Sequence, residues 1–230
     1  MCVALLSFTF SATALAGHVA SSPQRQQMLD DPASYYGQQA VFRVLRNGKQ
    51  VGEHTLEFQR RGSDLSISIE SSLAVRYLGV PVYVFSYRSQ ERWQHGHLQH
   101  VDAYIRDNRK PEQRIQATRE DGLMRLDIKG KKYTSAAVDF ASNHWHPDVL
   151  NGKRLFHTLH GRVYNVAVSK IGHEKINAGE HGVISADRYR YESGFSADVW
   201  YDAQGRWVKL MFKADDGSSI EYICQRCRVE

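Results

Sequence analysis

Long apolar runs, clustered positive charge, nucleophile motifs and cysteine are all scarce in this sequence, and each scarcity excludes something. No stretch reaches the roughly 20 apolar residues that a membrane-crossing helix needs, so the chain is not read as an integral membrane protein. The formal net charge is only +5 on 230 residues, with no basic stripe of the kind nucleic-acid binding requires, and nucleic acid is excluded as a partner. No serine lies in a Gly-x-Ser-x-Gly setting, and no cysteine sits in a Cys–His context, so triad chemistry has no anchor and no catalytic residue is assigned. Asp and Glu are scattered over turns, which singles out no carboxylate pair for glycoside cleavage. Strand-helix-strand alternation and domain linkers are missing too, and no cofactor motif is present.

Of the three cysteines, Cys2 precedes an apolar stretch and so is not a lipobox cysteine. Cys224 and Cys227 form a Cys-Gln-Arg-Cys near the C-terminus. Because they follow a strand and do not open a helix, they read as a local disulfide or a pair of tail thiols in an oxidising compartment, with redox or metal work as the lesser alternative.

What is present is strand grammar. Residues 1–16, MCVALLSFTFSATALA, are uncharged, apolar and end in Ala-Leu-Ala, which is the pattern of a secretory signal peptide. Residues 17–38 are polar and turn-rich, a tether or lid with a short helix expected around Gln24 to Leu29. From Val41 onward, segments of period-two alternation are separated by short turns, beginning with Asn47-Gly48, the strongest short-range hairpin signal. Leu65, Ile67, Ile69, Leu73 and Val75 share one face of the cleanest strand. Tyr83, Phe85 and Tyr87 share a face of the next. Near the end, Val208, Leu210 and Phe212 alternate with Trp207, Lys209, Met211 and Lys213.

The pattern breaks once, from Ser142 to Gly161, where Pro147 and Gly152 bracket a short helix, Pro147 to Asn151, expected to cross the open side of the sheet. Strand behaviour resumes at Arg162 to Ile171, with Tyr164, Val166 and Val168 on one face. About a dozen strands in one unit over residues 39–230 point to an all-β, mainly antiparallel meander, closed or half-closed into a barrel because a flat sheet of that size leaves long exposed edges.

Two site hypotheses follow. The row Tyr83, Phe85 and Tyr87, with Trp93, Trp145 and Trp200, outlines an apolar pocket inside the barrel, suited to a lipid-like or other amphipathic ligand. Lys209 and Lys213, or Arg188 and Arg190, are placed to meet an anionic head group. Filling of a solid core by the same aromatics is the competing reading. Separately, His95 and His97 flank a turn glycine and His144 and His146 flank Trp145, which makes these four the candidates for a metal site if three or four converge.

The C-terminal run Asp198-Val199-Trp200-Tyr201-Asp202 to Gly205, Trp207-Val208-Lys209-Leu210 and Asp216-Gly217-Ser218 resembles exported proteins of Gram-negative bacteria classed as domains of unknown function. Val44 to Gly52 and Glu91-Arg92-Trp93 resemble the same group. That group is distantly similar to the LolA/LolB-like periplasmic lipoprotein carriers, whose half-open barrel wraps a hydrophobic cavity. The resemblance implies a periplasmic protein, in contact with the outer membrane or not, and a lipid-like ligand. It carries over no site residue. The expectation is thus a non-catalytic binder of an amphipathic ligand. An envelope scaffold that engages a protein partner, and a metal-dependent enzyme, remain as alternatives.

Overall fold

Turns of the form X-Gly write most of the architecture. Asn47-Gly48, Leu78-Gly79, His95-Gly96, Asp121-Gly122 and Lys129-Gly130 take positive φ at both positions, as a type I′ turn requires, and that turn's twist suits the antiparallel strands it joins. The computed structural model describes residues 23–192 and 194–227, so the expected leader at residues 1–16 lies outside the described residues. With the connections at Gly62 and Asn108, these turns string β1 (Gln39–Arg46), β2 (Lys49–Arg61), β3 (Asp64–Tyr77), β4 (Val80–Gln94), β5 (His97–Asp107), β6 (Lys110–Glu120), β7 (Leu123–Ile128) and β8 (Lys131–Ala136) into a meander.

The chain then leaves the sheet. Between β8 and the next long strand lie β9 (Phe140–Ala141), a 3₁₀ turn (Pro147–Asn151), β10 (Arg154–His157) and β11 (Arg162–Asn165), the last three strand segments forming a small sheet of their own. Pro147 supplies the φ of the first helical position and His146 accepts the Asp148 N–H, yet the segment ends after five residues as a 3₁₀ turn. The expected continuous strand from Arg162 to Ile171 is instead split between two sheets, with Val166 at the break, so that β11 covers the interior and only the following residues rejoin the main ladder. The Val166 N–H goes to the Lys153 carbonyl and ties that corner to β10.

The second arm comprises β12 (Ala167–Asn177), β13 (Val183–Glu192), β14 (Ser196–Asp202), β15 (Trp207–Lys213) and β16 (Ser219–Arg226). Antiparallel pairing of β16 with β1 fuses the two arms into one sheet of thirteen strands in the order β12-β13-β14-β15-β16-β1-β2-β3-β4-β5-β6-β7-β8. Its free edges are therefore the two strands that flank the excursion. The protein is an all-β half-barrel, and residues 137–166 bridge its open side.

One interior end is packed solid. Helices α1 (Pro23–Asp30) and α2 (Ala33–Tyr36) bring Met28, Leu29 and Tyr36 into the core. Tyr36 stacks on Phe58 at 5.3 Å. Its hydroxyl donates to the Trp145 carbonyl at 2.6 Å and accepts the Trp207 N–H at 2.7 Å. A single buried oxygen thus joins the N-terminal helices, the crossing segment and the C-terminal arm.

Trp207 departs from simple alternation. Trp200 pairs with Lys209 but Tyr201 pairs with Trp207, so Val208 is an inserted bulge residue. The bulge turns Trp207 to the interior side, where it stacks on Phe42 at 4.0 Å. Cys224, opposite Phe42 on β16, is disulfide-bonded to Cys227 and both are fully buried. Gly52 on β2 is required sterically, because a Cβ there would meet the Ser72 carbonyl oxygen at 1.9 Å.

Replacing Tyr36 by Phe strips the buried Trp207 N–H and the Trp145 carbonyl of their shared partner. The expected loss is about 1–3 kcal/mol of folding stability, measured as a urea midpoint shift at constant m-value.

Candidate functional site

The other interior end is hollow. A cavity of about 790 Å³ runs between the concave face of the sheet and the crossing segment. From the sheet it takes Tyr83, Phe85 and Tyr87 of β4, His54 of β2, Leu210 and Phe212 of β15, and Tyr222 of β16; from the crossing segment it takes Asn143, His144, His157 and Thr158. Period-two alternation puts these residues on one face of each strand.

Trp207 forms the floor. The His54 ring meets it edge-on at 5.6 Å and the His144 ring lies at 5.9 Å. Lys213, Asp215, Asp107 and Lys110 lie on the wall around the turns at the opposite ends of these strands. Lys110 and Asp215 pair across this mouth at 3.4 Å. Four ladder steps separate Trp207 from Phe212 once the bulge at Val208 is set aside, a depth of about 14 Å.

The aromatic row divides in its hydrogen bonding. Tyr83, nearest the mouth, reaches Asp107 at 3.4 Å and lies under the Arg109 guanidinium, 5.0 Å from the ring centre. Tyr87 is buried, its hydroxyl 2.8 Å from Thr158 Oγ1 and 3.2 Å from Asn143 Oδ1. Burial pushes its pKa up to about 12. Phe85, between them, is half-buried on the cavity wall.

The three expected tryptophans lie elsewhere. Trp93 and Trp145 are in the solid core, edge to face at 5.3 Å, and both donate their indole N–H to Glu91, at 2.8 and 3.2 Å. Asn143 donates a third hydrogen bond to this wholly buried carboxylate. Desolvation raises the Glu91 pKa, opposed by those three donors. Trp200 is on the outer face of the sheet because it alternates with the inward Val199 and Tyr201. There it is covered by the cations of Arg188 and Lys209, each 4.9 Å from its ring centre. Arg188 and Arg190 are both engaged by Asp198, and Lys209 by Glu221 at 3.0 Å. Of the four cations expected to meet a head group, Lys213 alone lines the cavity.

The histidine candidates do not come together either. His95 and His97 are exposed at the β4–β5 turn. His146 is buried, with Nε2 2.8 Å from the Arg25 carbonyl and Nδ1 accepting the Asp148 N–H. Only His144 reaches the cavity, and among the described residues no group of three or more His, Cys, Asp or Glu side chains is placed to hold a metal ion.

What the cavity offers instead is neutral polarity. His54 and His144 are buried, and His157 stacks on His160 at 4.0 Å. Desolvation lowers their pKa values to about 3, 4 and 3 respectively, with neighbouring imidazoles adding to the shift at His54 and His157. All three rings are therefore uncharged near neutrality. With serine, threonine and asparagine beside aromatic faces, the arrangement suits binding, and the His54 ring is held on the wall by the Ser71 hydroxyl, 2.5 Å from Nδ1. His54 was visible in sequence as in phase with Leu56 and Phe58, while Asn143, His157 and Trp207 carried no signal that separated them from a turn or an outward face.

A sequence profile for a domain of unknown function, DUF6134, matches residues 42–225. The chain belongs to the DUF6134 family. The match takes in β1 to β16 almost entirely, and so both the sheet and the crossing segment that roofs the cavity. No curated protein matches the sequence. The DUF6134 fold is similar to that of a beta-barrel-like protein of another domain of unknown function, DUF1849, from Brucella abortus. That likeness has a TM-score of 0.61 at 11% identity over 84% of this chain and 97% of that one. LprF from Mycobacterium bovis overlaps at a TM-score of 0.33 and 12% identity, covering 91% of this chain and 95% of that one, too loose to inform the fold.

The buried imidazoles make stability depend on acidity. In the unfolded chain they take up protons near pH 6.5, while in the native state they resist until about pH 3 to 4. The unfolded state thus binds more protons in between, and stability that is complete above pH 6.5 is lost as pH falls. Each histidine contributes a slope of up to about 1.4 kcal/mol per pH unit in that window. Urea titrations of His54→Phe and His144→Phe between pH 7 and 5 are expected to show a shallower dependence than the parent protein.

Proposed function

We propose that this DUF6134 protein is an exported cell-envelope protein that holds an amphipathic, lipid-like ligand in its half-barrel without transforming it. The cavity carries the reading: about 790 Å³ of space walled by an aromatic row on one side and neutral polar groups on the other. That volume is within the range of small-molecule sites, and mixed aromatic and hydrogen-bonding walls match a molecule with both apolar and polar parts. The apolar, uncharged leader at residues 1–16, with its Ala-Leu-Ala end, supports export to the periplasm. Support for work beside a membrane comes from the tip of the β3–β4 hairpin, next to the mouth, which leaves Tyr77, Leu78 and Val80 exposed.

Native mass spectrometry of the protein purified from its own envelope is expected to show a retained amphiphile mass, removed on denaturation. Phe85→Asp places a charge midway along the wall and is expected to abolish that retention while circular dichroism stays unchanged. Retention equal to the parent's, in a folded Phe85→Asp protein, rejects the cavity as the binding site. A bare mass accompanied by a stoichiometric protein partner favours a scaffold role instead.

A further inference from the structure

The inner end of the cavity is built at a cost that the empty protein does not recover. His54 Nε2, His144 Nδ1 and His157 Nδ1 are buried ring nitrogens without a hydrogen-bond partner, and all three side chains stand on the cavity wall. A buried polar atom left unpaired is destabilising, and such groups are few in a native protein. Three around one cavity therefore call for a ligand that pairs with them.

Backbone geometry singles out the same place. Among the described residues, six other than glycine have positive φ. Five of them, Asn47, Leu78, His95, Asp121 and Lys129, are each followed by glycine in a hairpin turn, where that conformation is needed. His144, at φ 56°, is followed by Trp145 and lies in no such turn. Its carbonyl is held by the Tyr201 hydroxyl at 2.9 Å, which fixes the strained backbone with its imidazole on the wall. A strained residue held in this way is characteristic of a ligand site.

The chemistry of these groups selects the ligand. Each neutral imidazole presents one donor and one acceptor nitrogen. His54 uses Nδ1 on Ser71 at 2.5 Å, which leaves Nε2 for a ligand. Among the described residues three cations line the cavity: Lys110 and Lys213 belong to the mouth and Arg162 lies opposite His157 on β11, while none acts on His54 or His144, whose protonation is opposed by burial. A carboxylate or phosphate there would have no countercharge. A hydroxyl both donates and accepts, and matches either tautomer.

We infer that the floor of the cavity, between His54, His144 and Trp207, is a binding site for the uncharged, hydroxyl-rich head group of an amphiphile, of the glycosyl or glyceryl class, whose apolar chain runs past Phe85 toward the mouth. This inference rests on the amphiphile-binding reading and adds to it the chemical class and the direction of the ligand.

The test compares decyl glucoside, decyl phosphate and decyltrimethylammonium, each below its micellar concentration, by isothermal titration calorimetry on the purified protein. Decyl glucoside is expected to bind tightest. His54→Phe and His144→Phe are each expected to weaken it about fivefold, the worth of one neutral hydrogen bond, with little change in whatever affinity the two ionic amphiphiles show. His144→Phe should also melt higher than the parent when empty, because it removes an unpaired buried nitrogen while keeping an aromatic ring. Equal binding of all three amphiphiles overturns the head-group assignment and leaves the amphiphile-binding reading standing. Tightest binding of decyl phosphate also overturns it, placing the head at the Lys110 and Lys213 rim. Absence of binding by all three rejects both. Should either variant fold poorly, His144→Leu supplies the second measurement: an unchanged preference for glucoside over phosphate in a folded His144→Leu protein counts against the inference.

Discussion

A carboxylate shut away from water must be given donors or a proton, and Glu91 is given donors by two different parts of the chain. Trp93 is on its own strand, whereas Trp145 and Asn143 come from the crossing segment more than fifty residues later. The bond is therefore a strut between wall and roof. It acts together with the Tyr36 bridge, the Tyr201 hydroxyl on the His144 carbonyl and the Tyr87 hydroxyl on Thr158, which also fasten residues 137–166 over the open face of the sheet. Asn143 belongs to both systems: its amide donates to Glu91 and its carbonyl lies by the Tyr87 hydroxyl on the cavity wall. The polar anchor of the roof and the polar lining of the chamber are thus one hydrogen-bonded network, and such networks specify a single arrangement when every member is satisfied.

The sheet reaches its curvature by similarly local means. Bulges interrupt pairing at Val44/Leu45, Val75/Arg76, Arg92/Trp93 and Trp200/Tyr201, and each adds twist where the half-barrel has to turn. The N- and C-terminal strands meet in the middle of the sheet and not at an edge, so the edges left over are those next to the excursion, and the excursion itself spans the gap between them. Closure by a strap in place of a last strand pair is what leaves interior volume.

Much of this was legible. X-Gly pairs and alternation located β1 to β8 within a few residues, and the break from Ser142 to Gly161 marked the crossing because its histidines, Pro147 and Gly152 fit no strand period. The inward row Tyr83, Phe85 and Tyr87 followed directly from the pleat. The tryptophans did not, for two physical reasons. Trp200 is buried by the stems of Arg188 and Lys209 on the outer face, so a large apolar residue at a polar-phase position was mistaken for an interior one. Trp207 is on the interior side because one inserted residue, Val208, shifts the phase, and nothing in the local pattern announces a bulge of that kind. The role of His144 was hidden for a third reason: its importance lies in what it lacks, a partner for Nδ1, and a missing contact has no counterpart in a string of residues.

The block of Tyr36, Phe58, Trp145 and Trp207 at one end of the barrel has a consequence for traffic. That end being packed solid, a molecule held under the amphiphile-binding proposal would arrive and depart by the mouth, along one path and in opposite sense. Under that proposal, exchange would take place at the rim formed by the turns near Asp107 and Asp215. The fold has the form of a bucket and not of a conduit, and a tyrosine hydroxyl on a four-residue helix helps to hold its base together.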